Sequence, residues 1–133
     1  MVILDTHAWF QWLVTPEVLP TSLRAWLDAS SSIAVSAASA YEIAQHVQRG
    51  RVQIQLPLQE WFDEALAGSG LELLPLTPPI AARAAFLPQI HRDPWDRLLI
   101  ATALEHDAFL VTKDLVIPQY PDVKVIWNLT PSR

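Results

Sequence analysis

The chain has no cysteine and only three glycines in 133 residues. Without thiols there is neither a disulfide framework nor a thiolate-bound metal. With so little glycine there is no phosphate-cradling loop, which removes the P-loop and dinucleotide-binding fingerprints. Positive charge is also short. Nine Lys and Arg face fourteen Asp and Glu, a net −5. That balance speaks against a general nucleic-acid coat, but it leaves room for an enzyme that meets a polyanion through bound metal. Long apolar runs are missing too. Stretches such as Val2–Leu4 and Phe109–Val111 are far too short to cross a bilayer, and the N-terminus lacks the basic start and apolar run of a secretory signal. A soluble, cytoplasmic protein with no membrane contact is expected.

What is present suits one domain spanning residues 1–133, with 51% hydrophobic residues to build a core. Short apolar runs at Val2–Leu4, Ile33–Val35, Leu71–Leu76, Phe109–Val111 and Val123–Ile126 read as strands buried on both faces. Val52–Leu56 alternates and reads as a further short extended segment. Between the strands lie helical patterns. One starts at Thr6 and stops before Pro16, one covers Leu23–Ala29, and one runs from Ser36 to about Arg49 and ends at Gly50. Others follow Pro57, occupy Ile80–Leu87, and run from Pro94 to about His106. Strands alternating with helices predict an α/β protein with a parallel sheet covered on both sides. In such sheets the ligand crevice lies beyond the carboxyl ends of the strands.

The acids gather at that edge. Asp5 ends the first strand, Asp114 follows the fourth by two residues, Asp96 opens the helix leading into the fourth, and Glu42 lies one to two turns into the helix after the second. In the stretch HRDPWDRLLIATA, Asp93 stands at an N-cap position, Pro94 at N1 and Asp96 at N3. Each acid has a structural reading as well. Asp5 and Asp93 suit N-caps, Ser39 and Glu42 fit the S-x-x-E capping box, Asp96 offsets a helix dipole, and Asp114 suits a turn. Taken together, four carboxylates at one rim need counter-charge. A like-charge pair at 4 Å costs about 4 kcal/mol at an effective dielectric near 20. Hard oxygen donors select Mg²⁺ or Mn²⁺, and one or two such ions activate water and clamp a phosphoryl group for in-line attack.

These residues resemble the PIN-domain ribonucleases, in particular the VapC-type toxins of type II toxin–antitoxin pairs. LDTHAW, SAASAYEIAQHVQRGRV, HRDPWDRLLIATAL and LVTKD occur in the family's order and at its spacing. The resemblance implies an αβα sandwich on a five-stranded parallel sheet of order 3-2-1-4-5. It also implies divalent-metal endonuclease activity on RNA, homodimerisation, and inhibition by a cognate antitoxin protein. Asp5, Glu42, Asp96 and Asp114 carry over as the catalytic and metal-holding acids. Thr112 looks like the hydroxyl that holds a metal water, Thr6 is a candidate of the same kind, and Asp93 belongs to the surrounding shell.

Arg92, Arg97 and Lys113 sit beside the acids in sequence and are candidates for the RNA backbone; ion pairing with Asp93 and Asp96 is the alternative for the arginines. Among the histidines, His91 is within reach of phosphate, but no pair has ligand spacing. Trp9, Trp12, Trp26, Trp61 and Phe62 fall at helical spacing and read as core, with the Trp9–Leu13 and Pro57–Leu66 helices as candidate dimer or antitoxin contacts. Two other functions stay open: a catalytically silent PIN-like module that binds a partner protein, and a phosphatase on a similar sheet.

Overall fold

Five strands of three or four residues pair in parallel, in the order β3-β2-β1-β4-β5. They are seen in a computed structural model that describes residues 1–67 and 70–128. The chain runs β1 (Val2–Leu4), α1 (Thr6–Val14), α2 (Thr21–Ala29), β2 (Ile33–Ser36), α3 (Ala37–Gln48), α4 (Leu58–Ala67), β3 (Glu72–Leu74), α5 (Pro78–Phe86), α6 (Pro94–Glu105), β4 (Phe109–Val111) and β5 (Lys124–Ile126). Single 3₁₀ turns at Pro16–Val18 and Ile117–Gln119 were not legible in the pattern. Val52–Leu56 forms no strand; it bends on the surface before α4. The α/β class and the implied strand order are both observed.

Strand alternation divides the core into two. Val2, Leu4, Ile33, Val35 and Val111 point to one face, where α1, α2, α3 and α4 supply Trp9, Leu23, Leu27, Ile43 and Ala65. Ile3, Ala34 and Leu110 point to the other, against Ile100 and Ala103 of α6. Helix α5 packs on α6 through Ile80, Ala84 and Ala101. Helices therefore cover both faces, which gives three layers. Of the five aromatics read as core, Trp9 is fully buried, and Trp12, Trp26, Trp61 and Phe62 pack half-buried against the same cluster. The α1 and α4 aromatics meet each other, Trp9 lying 5.9 Å from Trp61 and Phe10 5.8 Å from Trp61, ring centre to ring centre.

Register sets the edge. Leu4 pairs with Val35 on one side and Val111 on the other, so β1 and β4 end level while β2 runs one residue further, to Ser36. Asp5 and Thr112, the next residues of β1 and β4, therefore emerge beside Ser36. Asp5 is tied there by its N–H, which donates to the Val111 carbonyl at 3.0 Å.

Arg97 shows why position in sequence is not position in space. It was a candidate for the RNA backbone, and the structure corrects this: the side chain is only 8% exposed and its guanidinium points inward. Nη2 donates to the carbonyls of Ala84 (2.8 Å), Ala85 (3.3 Å) and Leu87 (3.0 Å), and Nη1 to Pro88 O (2.8 Å) and Tyr120 Oη (3.3 Å). Nor does it pair with Asp93 or Asp96. It caps the C-terminus of α5, where free carbonyls and the negative dipole end favour a cation. It also pins the loop from Leu87 to His91, whose far end is held by the His91 N–H donating to Tyr120 Oη at 2.6 Å. Replacing it leaves buried carbonyls without donors, at about 1–3 kcal/mol each. Arg97→Met should therefore lose roughly 3 kcal/mol or more in urea unfolding. Arg97→Lys should recover only part, because an ammonium cannot span the fork. A variant within about 1 kcal/mol of the parent would refute this role.

Candidate metal centre

The site is built from strand ends and helix starts. Asp5, just past β1, is the N-cap of α1, and its Oδ1 accepts from the Ala8 N–H at 2.8 Å. The Thr112 hydroxyl donates to the Asp5 carboxyl. The same hydroxyl oxygen accepts the Asp114 N–H at 3.1 Å. Buried Thr112 thus couples the acid after β1 to the acid after β4. Asp114 Oδ1 accepts from the N–H groups of Val116 (2.7 Å) and Ile117 (3.2 Å), which start the 3₁₀ turn. Asp93 caps α6, accepting from the Trp95 N–H at 2.9 Å. The structural readings of Asp5, Asp93 and Asp114 are therefore correct, and each uses one carboxylate oxygen.

Glu42 differs. Helix α3 is capped by Ser36, which accepts from the Ala38 N–H. Ser39 lies inside the helix, so the S-x-x-E spacing is not a capping box. Instead the Thr6 hydroxyl, 3.0 Å from Ser39 Oγ, donates to Glu42 Oε1 at 2.7 Å. That bond joins α1 to α3 and turns Glu42 toward the crevice.

His91 is the residue that sequence reasoning undervalued. Its Nε2 lies 3.0 Å from Asp96 Oδ2 and 3.3 Å from Asp114 Oδ2. Its Nδ1 accepts the Asp93 N–H at 3.2 Å, which places the ring proton on Nε2, facing both acids. Ligand atoms of His91, Asp96 and Asp114 all lie within 4.8 Å of one another, a set that could hold a metal ion. No periodic spacing announces His91, since it reaches the acids from a loop. The one local signal was its place two residues before the N-cap Asp93.

Electrostatics reports the crowding. Asp96 is pushed up to about 7, first by burial and then by the Asp93 charge; Glu42 and Asp114 add to this, and His91 opposes it. Glu42 is raised by burial, against the Thr6 hydrogen bond, and Asp93 and Asp5 push it further. Asp5 is raised by burial, with Thr112 and the Ala8 N–H pulling the other way and Asp114 adding a little. At Asp114 burial also acts upward, but the Val116 and Ile117 N–H groups and His91 together outweigh it, and its carboxyl is held low. Among the described residues no Lys or Arg comes within 4.0 Å of any of these acids. Arg92 and Lys113 are exposed next to them in sequence; Arg97 is turned away. Oxygen-rich donors with no cationic partner fit a hard divalent ion such as Mg²⁺ or Mn²⁺; His91 Nε2 would join them only on giving up its proton.

Comparison with known proteins follows the same lines. The PIN domain profile matches residues 2–123. Ribonuclease VapC22 of Mycobacterium tuberculosis is 33% identical over 129 residues, covering 95% of this chain and 98% of that protein. Among solved structures, the VapBC2 complex of Rickettsia felis bound to a promoter DNA fragment superposes with a TM-score of 0.72 at 17% identity, over 96% of this chain and all of that one. The FitAcB structure of Neisseria gonorrhoeae gives 0.68 at 22% identity, over 96% and 97%. The solved structures share the fold; the profile and the curated relative share the sequence over nearly the whole chain, and the chain belongs to the PIN-domain family.

Proposed function

We propose that the chain is a divalent-metal-dependent endoribonuclease and the toxin of a toxin–antitoxin pair, acting in the cytoplasm as a homodimer that a cognate antitoxin inhibits. The observation that carries the reading is the grouping of His91, Asp96 and Asp114, whose ligand atoms lie within 4.8 Å of one another; Asp5 and Glu42 feel the charges of the same acids, and among the described residues no Lys or Arg comes within 4.0 Å of any of them. Identity to ribonuclease VapC22 supports the substrate class, and structural kinship to toxin–antitoxin complexes supports the partner.

In this reading Asp5, Glu42, Asp96 and Asp114 hold one or two Mg²⁺ or Mn²⁺ ions. A bound ion supplies an activated water and counter-charge for the attacked phosphate. The chain's own groups orient these parts. Thr112 holds Asp5, and Thr6 holds Glu42 by Oε1, leaving Oε2 to take a proton from the attacking water. Asp93 fixes the start of α6 and with it Asp96. His91 bridges Asp96 and Asp114, and exposed Arg92 and Lys113 contact the RNA backbone.

Two tests address this. Cleavage of RNA to products with 5′-phosphate and 3′-hydroxyl ends should stop in EDTA. It should fall at least about 100-fold in Asp5→Asn, Asp96→Asn and Glu42→Gln, and about tenfold in Thr112→Val, since outer partners typically cost 10–100-fold. In cells, growth arrest on expression should be relieved by Asp96→Ala. Cleavage indifferent to chelator would reject the reading.

The second test uses stability. A carboxyl raised in the fold stabilises it below the ordinary carboxylate pKa, and that contribution is lost as pH rises through the folded value, near 7 for Asp96. Asp114, held low, acts oppositely, but its window lies at acid pH. In EDTA the melting temperature should therefore fall between about pH 5 and pH 8. Mg²⁺ or Mn²⁺ should raise it again at the upper end, by about 4 °C per kcal/mol of binding. Asp96→Asn should melt higher than the parent in EDTA at the upper pH and gain little from metal. A pH-independent melt with no metal response would count against a cation site.

A further inference from the structure

Beside the acids stands an aromatic pair that the nuclease reading does not use. Tyr41 and Trp95 stack with ring centres 4.6 Å apart and planes 30° from parallel. Tyr41 directly precedes Glu42 on α3, and Trp95 directly precedes Asp96 on α6. The stack therefore spans the two helices at the rim of the crevice. One ring is spent on the other: Trp95 is half-buried behind Tyr41, while Tyr41 is 51% exposed. Its outer face is open to solvent.

Charge makes that face useful. Nucleic-acid affinity usually rests on cations meeting phosphates, yet this chain carries a net −5. Arg97 is consumed by backbone carbonyls, leaving Arg92 and Lys113 as the exposed cations next to the acids in sequence. Stacking is indifferent to net charge, accepts any base, and is worth more on a ring already held in place. A protein seated on Tyr41 would instead desolvate the adjoining Glu42 and Asp96 carboxylates, which is costly without cations from the partner. Contiguity with the acids therefore favours a nucleic acid.

We propose that the outer face of Tyr41, backed by Trp95, stacks one unpaired base of single-stranded RNA next to the phosphate that is cut. The proposal rests on the ribonuclease reading and adds to it how an acidic chain grips its substrate. A base in a duplex is already stacked on its neighbours, so paired RNA would have to open first.

The test separates stacking from a merely structural clamp between α3 and α6. The Asp5→Asn chain, which keeps a helix-capping side chain, is mixed in Mg²⁺ buffer with fluorescent single-stranded oligoadenylate. It is mixed separately with an abasic ribose-phosphate strand of equal length. Fluorescence anisotropy gives both dissociation constants. Adding Tyr41→Ala should weaken oligoadenylate binding about tenfold, adding Tyr41→Phe should leave it close to the background chain, and the abasic strand should bind all three alike. Equal loss on both strands would make the pair a clamp and overturn the proposal. So would oligoadenylate binding insensitive to Tyr41→Ala, including the case where that change dissolves a dimer seen by light scattering. Cleavage by the parent chain is assayed in parallel. A parent that cleaves while Tyr41 is indifferent removes only the platform; Tyr41-dependent binding with no cleavage removes only the nuclease reading.

Discussion

The in-register parallel pairing of β1 with β4 is the constraint from which the candidate site follows. Leu4 lies beside Val111, so the next residues, Asp5 and Thr112, emerge together at the same edge. A one-residue slip would send Leu4 to the opposite face of the sheet and carry Asp5 away from Thr112. Core packing forbids the slip, because Leu4 and Val111 belong to the cluster on one face while Ile3 and Leu110 belong to the other. Ordinary hydrophobic burial thus fixes the separation of charged groups that by themselves would repel.

The acids stay in place because several serve the backbone with one oxygen. Asp5, Asp93 and Asp114 each accept N–H groups at the start of a helix or turn. A carboxylate at such a position is favoured by the free donors and the dipole. That local gain offsets part of the cost of crowding. The cost is not removed: burial first, and then the charges of Asp93, Glu42 and Asp114, push Asp96 up to about 7. Crowded carboxylates with, among the described residues, no Lys or Arg within 4.0 Å are what the proposed cation site rests on.

The supporting layer lies further off and is easily misread. Arg97 is flanked in sequence by the acids but acts on the opposite side, closing the end of α5 and holding the loop that presents His91. Tyr120, far along the chain, receives hydrogen bonds from both Arg97 and the His91 N–H. The position of the imidazole between Asp96 and Asp114 therefore depends on residues that never touch the crevice.

The sequence alone determined the class of fold, because short apolar runs alternating with helical stripes admit few arrangements other than a covered parallel sheet. It also determined the edge at which Asp5, Glu42, Asp96 and Asp114 fall, since their offsets from strand ends and helix starts are local facts. The N-caps at Asp5 and Asp93 were legible for the same reason. Tertiary structure decided whatever turns on the direction of a long or loop-borne side chain. Arg97 turns inward because α5 ends beside it with open carbonyls. Glu42 leaves the expected capping box because α1 brings Thr6 within 2.7 Å. His91 joins the acids because a loop, which has no period to read, folds back across them. Periodicity specifies faces and ends; which partner waits there is set only when separate elements pack.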